Sequence, residues 1–258
     1  MNDSLEKTRA FPDKEEIREA IVSVLGANGM GDMLSPPQID TLASFGHYLA
    51  TENGKYNLTA ITDPYGMALL HFADSLLFAD LLPSGACVAD VGCGAGLPSI
   101  PLAIARPDLN FTCIDSTAKK IRFIESFVAA QGLKNVITVC GRAEELFSSS
   151  VKGSLREQFD AVTARGVAGL GILSEICCAA VKPGGTFIAL KGKNVYDELP
   201  PEVSSLSGTG LKIEDVIFRK LILNNDKPSR AAVMMKKLSN SVPKYPRQYK
   251  NILKKPLF

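Results

Sequence analysis

Cys87-Val88-Ala89-Asp90-Val91-Gly92-Cys93-Gly94-Ala95-Gly96 is the stretch whose reading decides the fold. The run from Cys87 to Val91 is short and apolar and ends directly in glycines, the pattern of a strand buried in a parallel sheet. Gly92, Gly94 and Gly96 leave no side chains where the chain must turn sharply into a helix expected over Leu97 to Ala105. Outward from this unit the alternation continues. Phe111 to Ile114, Val136 to Cys140, Phe159 to Ala164 and Thr186 to Leu190 are expected strands. Ala118 to Gln131 and Leu170 to Val181 are expected helices, the second ended by Pro183-Gly184-Gly185. Strand alternating with helix at this spacing predicts an α/β fold with a mostly parallel, doubly wound, Rossmann-like sheet. Val216 to Leu223 and Ala231 to Met235, separated by the turn-rich Asn224 to Ser229, are expected to add an antiparallel hairpin.

The chain before this unit reads as a helical extension over 1–84, the sheet domain as 85–238, and the remainder as a basic tail over 239–258. Ile17, Ile21, Val24 and Leu25 recur on one helical face. Ser35-Pro36 starts a second helix lined by Ile39, Leu42, Phe45 and Leu49. Asp63-Pro64 starts a third, carrying Leu69, Leu70, Leu76, Leu77 and Leu81 to Pro83. The tail holds Lys244, Arg247, Lys250, Lys254 and Lys255 and no acid.

Composition narrows the function classes. The 258 residues carry a net charge of +2, so global charge does not announce a nucleic-acid partner, although a local basic patch can still serve one. No run reaches the ~18 apolar residues of a membrane span, and the mixed charges at the start are not those of a secretory signal. The chain is expected to be cytoplasmic. Its six cysteines show no metal-ligand spacing, so neither a metal site nor a disulfide framework is expected.

The glycine loop is a cofactor signature of some specificity. Dinucleotide-binding loops place their third glycine one residue later than Gly96. Asp90, two residues before Gly92, would repel a pyrophosphate but suits a cofactor with an ammonium group at that end. S-adenosylmethionine has that ammonium and a sulfonium, and no phosphate. Asp115 ends the next strand about twenty residues past the loop, where a carboxylate can accept both ribose hydroxyls. Arg142-Ala143-Glu144 follows the third strand at the same sheet edge, and Arg165 follows the fourth, beside the topological switch point.

In the ordered set of its motifs the chain resembles the bacterial small-subunit ribosomal RNA methyltransferases that make 7-methylguanosine, the glucose-inhibited division protein B family. The motifs are Asn57-Leu58-Thr59-Ala60-Ile61, His71 with Asp74-Ser75-Leu76, the loop from Asp90 to Pro98, and Asp115-Ser116 with Lys119-Lys120. Arg142-Ala143-Glu144, Arg165-Gly166-Val167-Ala168, Leu190-Lys191-Gly192 and Tyr245-Pro246-Arg247 continue it. The resemblance implies a class I methyltransferase with cofactor contacts at Gly92, Leu97, Ala143, Glu144 and Arg165. Cys93, Ser99 and Gly166 depart from the family's usual Ser or Thr, Gly, and Ala.

The chemistry implied is direct in-line transfer of a methyl group to a ring nitrogen of guanine that carries a lone pair and no proton, so no general base is required. Asn57 and Arg165 are the residues expected nearest the transfer centre, with Asp90, Gly92, Gly94, Gly96, Leu97, Asp115, Ala143 and Glu144 at the cofactor. Small-subunit ribosomal RNA, free or in an assembling subunit, is expected to meet Lys119, Lys120, Arg122, Lys191 and Arg247. The chain is expected to work as a monomer. His71 reads as a core histidine, with Asp74 paired to it or to Lys119. The alternatives are a methyltransferase acting on a small molecule or protein, a nicotinamide oxidoreductase, and a non-catalytic cofactor-binding assembly factor.

Overall fold

Local sequence caps the helices that precede the sheet. In helix α1 (Lys14–Ala27), Asp13 accepts from the Glu16 amide at 2.8 Å and the Glu16 carboxylate accepts from the Asp13 amide at 3.0 Å. This reciprocal pair satisfies two amides that have no partner inside the helix. Helix α2 (Pro36–Tyr56) starts in the same way with Ser35 and Gln38. A third helical run, α3 (64–76), opens on the Asp63 side chain, and its middle, Met67–Ala73, is π-helical. A π segment widens the turn and shifts the side chains beyond it around the axis; Asp74 is the first residue past it. The run stops at Leu76, short of the expected Pro83, and a separate 3-10 turn spans Ala79–Leu81. The computed structural model describes residues 11–202, 206–222 and 229–258, so most of the turn expected over Asn224 to Ser229 lies outside the described residues, as does the charged start of the chain.

The sheet follows the predicted topology. Its strands are β1 (Cys87–Val91), β2 (Asn110–Asp115), β3 (Val136–Cys140), β4 (Phe159–Arg165), β5 (Val181–Gly192), β6 (Leu211–Lys220) and β7 (Ser229–Lys237). The order is β3-β2-β1-β4-β5-β7-β6, with β7 antiparallel to both its neighbours and the first five strands parallel. The order reverses between β1 and β4, and that point is where a crevice opens beyond the strand ends.

Several boundaries differ from the sequence reading. Helix α4 is Ser99–Ala105, because the glycine loop continues through Leu97. Helix α7 ends at Cys178, and Pro183-Gly184-Gly185 lies in a register shift at the start of β5. β6 begins at Leu211, where polar residues alternate with apolar ones on an edge strand and hide the pattern. β7 extends beyond Ala231 to Met235 at both ends.

Two cores sandwich the sheet. Helices α1, α2, α3, α4 and α5 (Ala118–Gln131) share one, with Ile17, Phe45, Phe72 and Phe123 packed onto Val88 and Phe111. The short α6 (Ala143–Leu146), α7 (Leu170–Cys178) and the C-terminal α8 (Tyr249–Lys254) cover the other face, over Ala89, Val162 and Phe187. Residues 239–258 are therefore packed, with Tyr245 and Ile252 buried. All six cysteines are free thiols.

Candidate functional site: two cavities at the switch point

The glycine loop is held in place by its neighbour strand. The amides of Gly92 and Cys93 donate to the Ile114 carbonyl at 2.8 and 3.0 Å, and the Gly94 amide donates to Asp115 Oδ2 at 3.1 Å. Gly92 has φ +74°, and a Cβ there would stand 2.5 Å from Val167 Cγ2, so both backbone and space require glycine. Asp115 also accepts from the Thr117 amide at 2.8 Å, and it lines the cleft with the remaining lone pairs of its carboxylate unassigned.

Asp90 is buried at the end of β1. Thr163 Oγ1 donates to its Oδ1 at 3.0 Å, and Ser99 lies beside the carboxylate as a second group that favours its charged form. Burial pushes the Asp90 carboxyl up to about 6.

A cavity of about 300 Å³ opens over these groups, lined by Gly92, Asp115, Lys120, Ala143, Glu144 and Tyr249 among others. Arg142 pairs with Glu144 at 2.9 Å and lies 4.4 Å above the Tyr249 ring. The set suits S-adenosylmethionine. A glycine cradle admits a ligand close to the backbone, a buried carboxylate stands behind the loop, a strand-end carboxylate that could take ribose hydroxyls lines the cavity, and the two lining cations, Lys120 and Arg142, each already face an acid. Leu97 sits half-buried in the loop and, like Gly94, Gly96 and Asp90, lies outside the cavity wall itself.

A second cavity, of about 370 Å³, adjoins the first at Gly166, which lines both. Its charged groups come from five places in the chain: Asp74, Arg165, Lys191, Glu198 and Arg230. Asp74 is the hub. Arg165 donates to its Oδ2 at 2.7 Å, and Arg230 donates to its Oδ1. Each arginine has guanidinium hydrogens left over for a ligand. Three cations against two carboxylates leave a formal excess of one positive charge in this cavity.

Several expected site residues have other partners. Asp74 binds the two arginines, not His71 or Lys119, and Arg230, a lone arginine in a strand, carries no signal in the sequence. Lys191, expected at RNA, turns inward to Glu198 at 2.6 Å and the Ala168 carbonyl at 2.7 Å. Lys120 leans over Asp115 at 3.7 Å and lines the cofactor cavity. Arg247 is committed to Glu175, a fully buried acid, with Nε 2.7 Å from Oε1 and a second guanidinium bond to Oε2. It fastens the C-terminal segment to α7, so this cation of the basic tail is taken up by an ion pair within the fold. Lys119 and Arg122 are exposed on α5.

Asn57 caps α2 in the left-handed conformation, φ 50°, ψ 60°, and lines neither cavity. His71 is buried with Nε2 2.8 Å from Thr59 Oγ1, and burial pulls its pKa down to about 4, so it is neutral at pH 7. Among the described residues no group of three or more His, Cys, Asp or Glu could hold a metal ion, and no helix is long and apolar enough to cross a membrane.

The family model described as rRNA small subunit methyltransferase G (GidB) matches residues 38–220. The chain is 40% identical over 228 residues to "Ribosomal RNA small subunit methyltransferase G" of Lactobacillus acidophilus, covering 87% of this chain and 93% of that one. The chain belongs to this family. A GidB relative of the same name in Acetivibrio thermocellus is 36% identical over 246 residues, 95% of this chain and 99% of its own. Among solved structures, the chain is similar to a SAM-dependent methyltransferase from Aquifex aeolicus, with a TM-score of 0.48 and 18% identity over 72% of this chain and 97% of that one. The GidB match begins within α2 and ends with β6, so both cavities fall mainly inside it, with Arg230 and Tyr249 contributed from beyond it.

Proposed function

We propose that the chain is an S-adenosylmethionine-dependent methyltransferase that makes 7-methylguanosine in small-subunit ribosomal RNA. The observation that carries this reading is the pair of cavities meeting at Gly166, one suited to the cofactor and the other charged and open to substrate. The cofactor, when bound, supplies a methyl group on a sulfonium to a nucleophile. Gly92, Asp115, Ala143 and Glu144 hold it, with Asp90, Gly94, Gly96 and Leu97 shaping the loop behind.

The guanine nitrogen brings its own lone pair, so the protein has no proton to remove. The neutrality of His71 and the commitment of Asp74 to two arginines agree with that. What the chain contributes is alignment, which can supply about 7–11 kcal/mol of a barrier. Asp74 and Glu198 offset the cations of the second cavity, so positive charge developing on the base meets a nearly balanced field. The net excess of one cation, with spare donors on Arg165 and Arg230, suits an RNA phosphate. Lys119 and Arg122, exposed on α5 beside the cofactor cavity, are the remaining phosphate contacts.

Asn57, on the loop leading to α3, lines neither cavity, and a substitution tests its expected part in the transfer. Asn57→Gly keeps the left-handed cap and removes the amide. A fall in kcat with unchanged thermal stability assigns the amide to the reaction, and unchanged kcat reduces Asn57 to a cap.

Tritium transfer from labelled S-adenosylmethionine to small ribosomal subunits lacking 7-methylguanosine, followed by nucleoside analysis, tests the whole reading. Labelled 7-methylguanosine is the expected product. Cofactor binding without any transfer would replace the enzyme with a non-catalytic assembly factor.

A further inference from the structure

Tyr196 and Phe218 form a ring pair at the surface of the protein. Their centroids are 5.3 Å apart with planes at 32°, and they are 65% and 39% exposed. The other ring contacts among the described residues lie in the helical core around Phe45, Tyr48 and Phe123. The two residues stand 22 positions apart in sequence, so no aromatic-rich motif advertises them.

They adjoin the second cavity through the elements that line it. Tyr196 belongs to the turn Val195–Glu198, which follows Gly192 and delivers Glu198, both cavity-lining. Phe218 pairs across β6 and β7 with Ala231, and Ala231 pairs with Lys191, so Phe218, Ala231 and Lys191 form one row on one face of the sheet. Ala231 is next to the cavity-lining Arg230. Lys193 and Lys220 are exposed near the two rings along the chain, with Asp197 the exposed acid on the turn.

We propose that Tyr196 and Phe218 are a stacking platform for an unpaired RNA base adjacent to the guanine that enters the cavity. This rests on the reading of the site as one that acts on RNA. A guanine drawn out of its stack leaves its neighbour without one face, and an aromatic ring beside the entry point replaces that face. The adjoining lysines can follow the backbone of the same strand. The rings are positioning residues: they touch neither the methyl group nor the reacting nitrogen, and they act through how the strand is held.

The test compares the full-length wild type, the pair Tyr196→Ala with Phe218→Ala, and Tyr196→Phe. Small ribosomal subunits lacking 7-methylguanosine serve as probe. Subunit affinity at fixed salt, cofactor affinity, KM and kcat, and sedimentation are measured for each. The alanine pair is expected to weaken subunit binding and raise KM by roughly tenfold, the scale of losing one stacked base, with kcat and cofactor affinity within about twofold. Tyr196→Phe, which keeps the ring, is expected to match the wild type. Equal subunit affinity in the alanine pair and the wild type overturns the platform and leaves the enzyme reading intact. A wild type that binds no subunits overturns both. A self-associating wild type made monomeric by the alanine pair overturns the platform in favour of an interface between copies of the chain.

Discussion

The cofactor cavity is built around a backbone turn at the ends of adjacent strands, whereas the substrate cavity depends on an ion network brought from distant parts of the chain. On the cofactor side, Gly92 and Gly94 present amides to Ile114 and Asp115 on the adjacent strand, and a bare turn leaves room for a ligand. On the substrate side, Asp74 comes from α3, Arg165 from β4, Lys191 from β5, Glu198 from the turn after it and Arg230 from β7. Backbone cradles tolerate almost no added atom. Side-chain networks tolerate exchange but fail when one charge loses its partner. The two halves should therefore break in different ways.

The largest expected effect falls on the wall of the cofactor half. Arg247→Ala leaves the fully buried Glu175 carboxylate without its cation, which is expected to cost about 3 kcal/mol of stability in chemical denaturation. Because the same segment carries Tyr249 into the cofactor cavity, cofactor affinity is expected to fall as well. Glu175→Gln added to Arg247→Ala should recover part of the stability by removing the orphan charge. Failure of either loss to appear would mean that the other anchors hold the segment, namely buried Tyr245 and Ile252 and the Arg156 bonds to the Ser241 and Tyr245 carbonyls.

Gly92→Ala comes next. It combines a positive φ with a Cβ 2.5 Å from Val167 Cγ2. Strain of this kind is worth about 1–3 kcal/mol, so calorimetry should find cofactor affinity weaker by about fivefold to about a hundredfold, with the fold retained. Val167→Ala in the same chain opens the space but leaves the strain, and so divides the effect between the two causes.

The contrast between the halves also explains what the sequence could disclose. Asp90, the glycines and Asp115 lie on one strand–turn–strand unit, so their spacing survives as a linear pattern. The parallel order and the antiparallel close followed from the alternation of strand and helix signals. The start of β6 did not, because Lys212, Glu214 and Asp215 interrupt its apolar period on an exposed edge. The ion network was illegible for a different reason. Asp74 and Arg230 are 156 residues apart and meet only because β7 is inserted between β5 and β6. Lys191 and Arg247 look like surface cations in sequence, and only the folded chain reveals Glu198 and Glu175 facing them. The π segment that sets Asp74 at its station likewise has no residue signature in Met67–Ala73.

Asp74→Asn probes the substrate half alone. It keeps the side-chain shape while removing the charge that both arginines share. Subunit methylation is expected to lose about tenfold in kcat/KM, the scale of one lost charge-assisted contact, while cofactor affinity stays within about twofold. An equal loss of cofactor affinity would show that the two cavities are energetically one, and the contrast drawn between them would fail.

The smallest effect is a cancellation between two buried groups, Asp90 behind the cofactor loop and His71 on α3. Asp90 titrates at about 6 when folded, against an ordinary value of 3.8, so the folded state binds its proton more readily than the unfolded chain. The stability this group contributes is present below about pH 3.8 and is lost as pH rises through about 6. His71 titrates at about 4 when folded, against 6.5, so its contribution is present above pH 6.5 and is lost as pH falls through about 4. Between pH 4 and 6 the two slopes oppose, and the stability of the wild type should change little on their account. Asp90→Asn removes one side of the balance. Its stability is expected to fall steadily as pH drops from 6.5 to 4, under the slope of His71 alone. Cofactor affinity offers the complementary readout, because an ammonium near the glycine loop favours ionised Asp90. Affinity in the wild type should then weaken as pH falls below about 6, and that dependence should vanish in Asp90→Asn. A pH-independent affinity in the wild type would leave Asp90 as a strand-end carboxylate tied to Thr163, and would place recognition of the cofactor's charged end on the loop backbone alone.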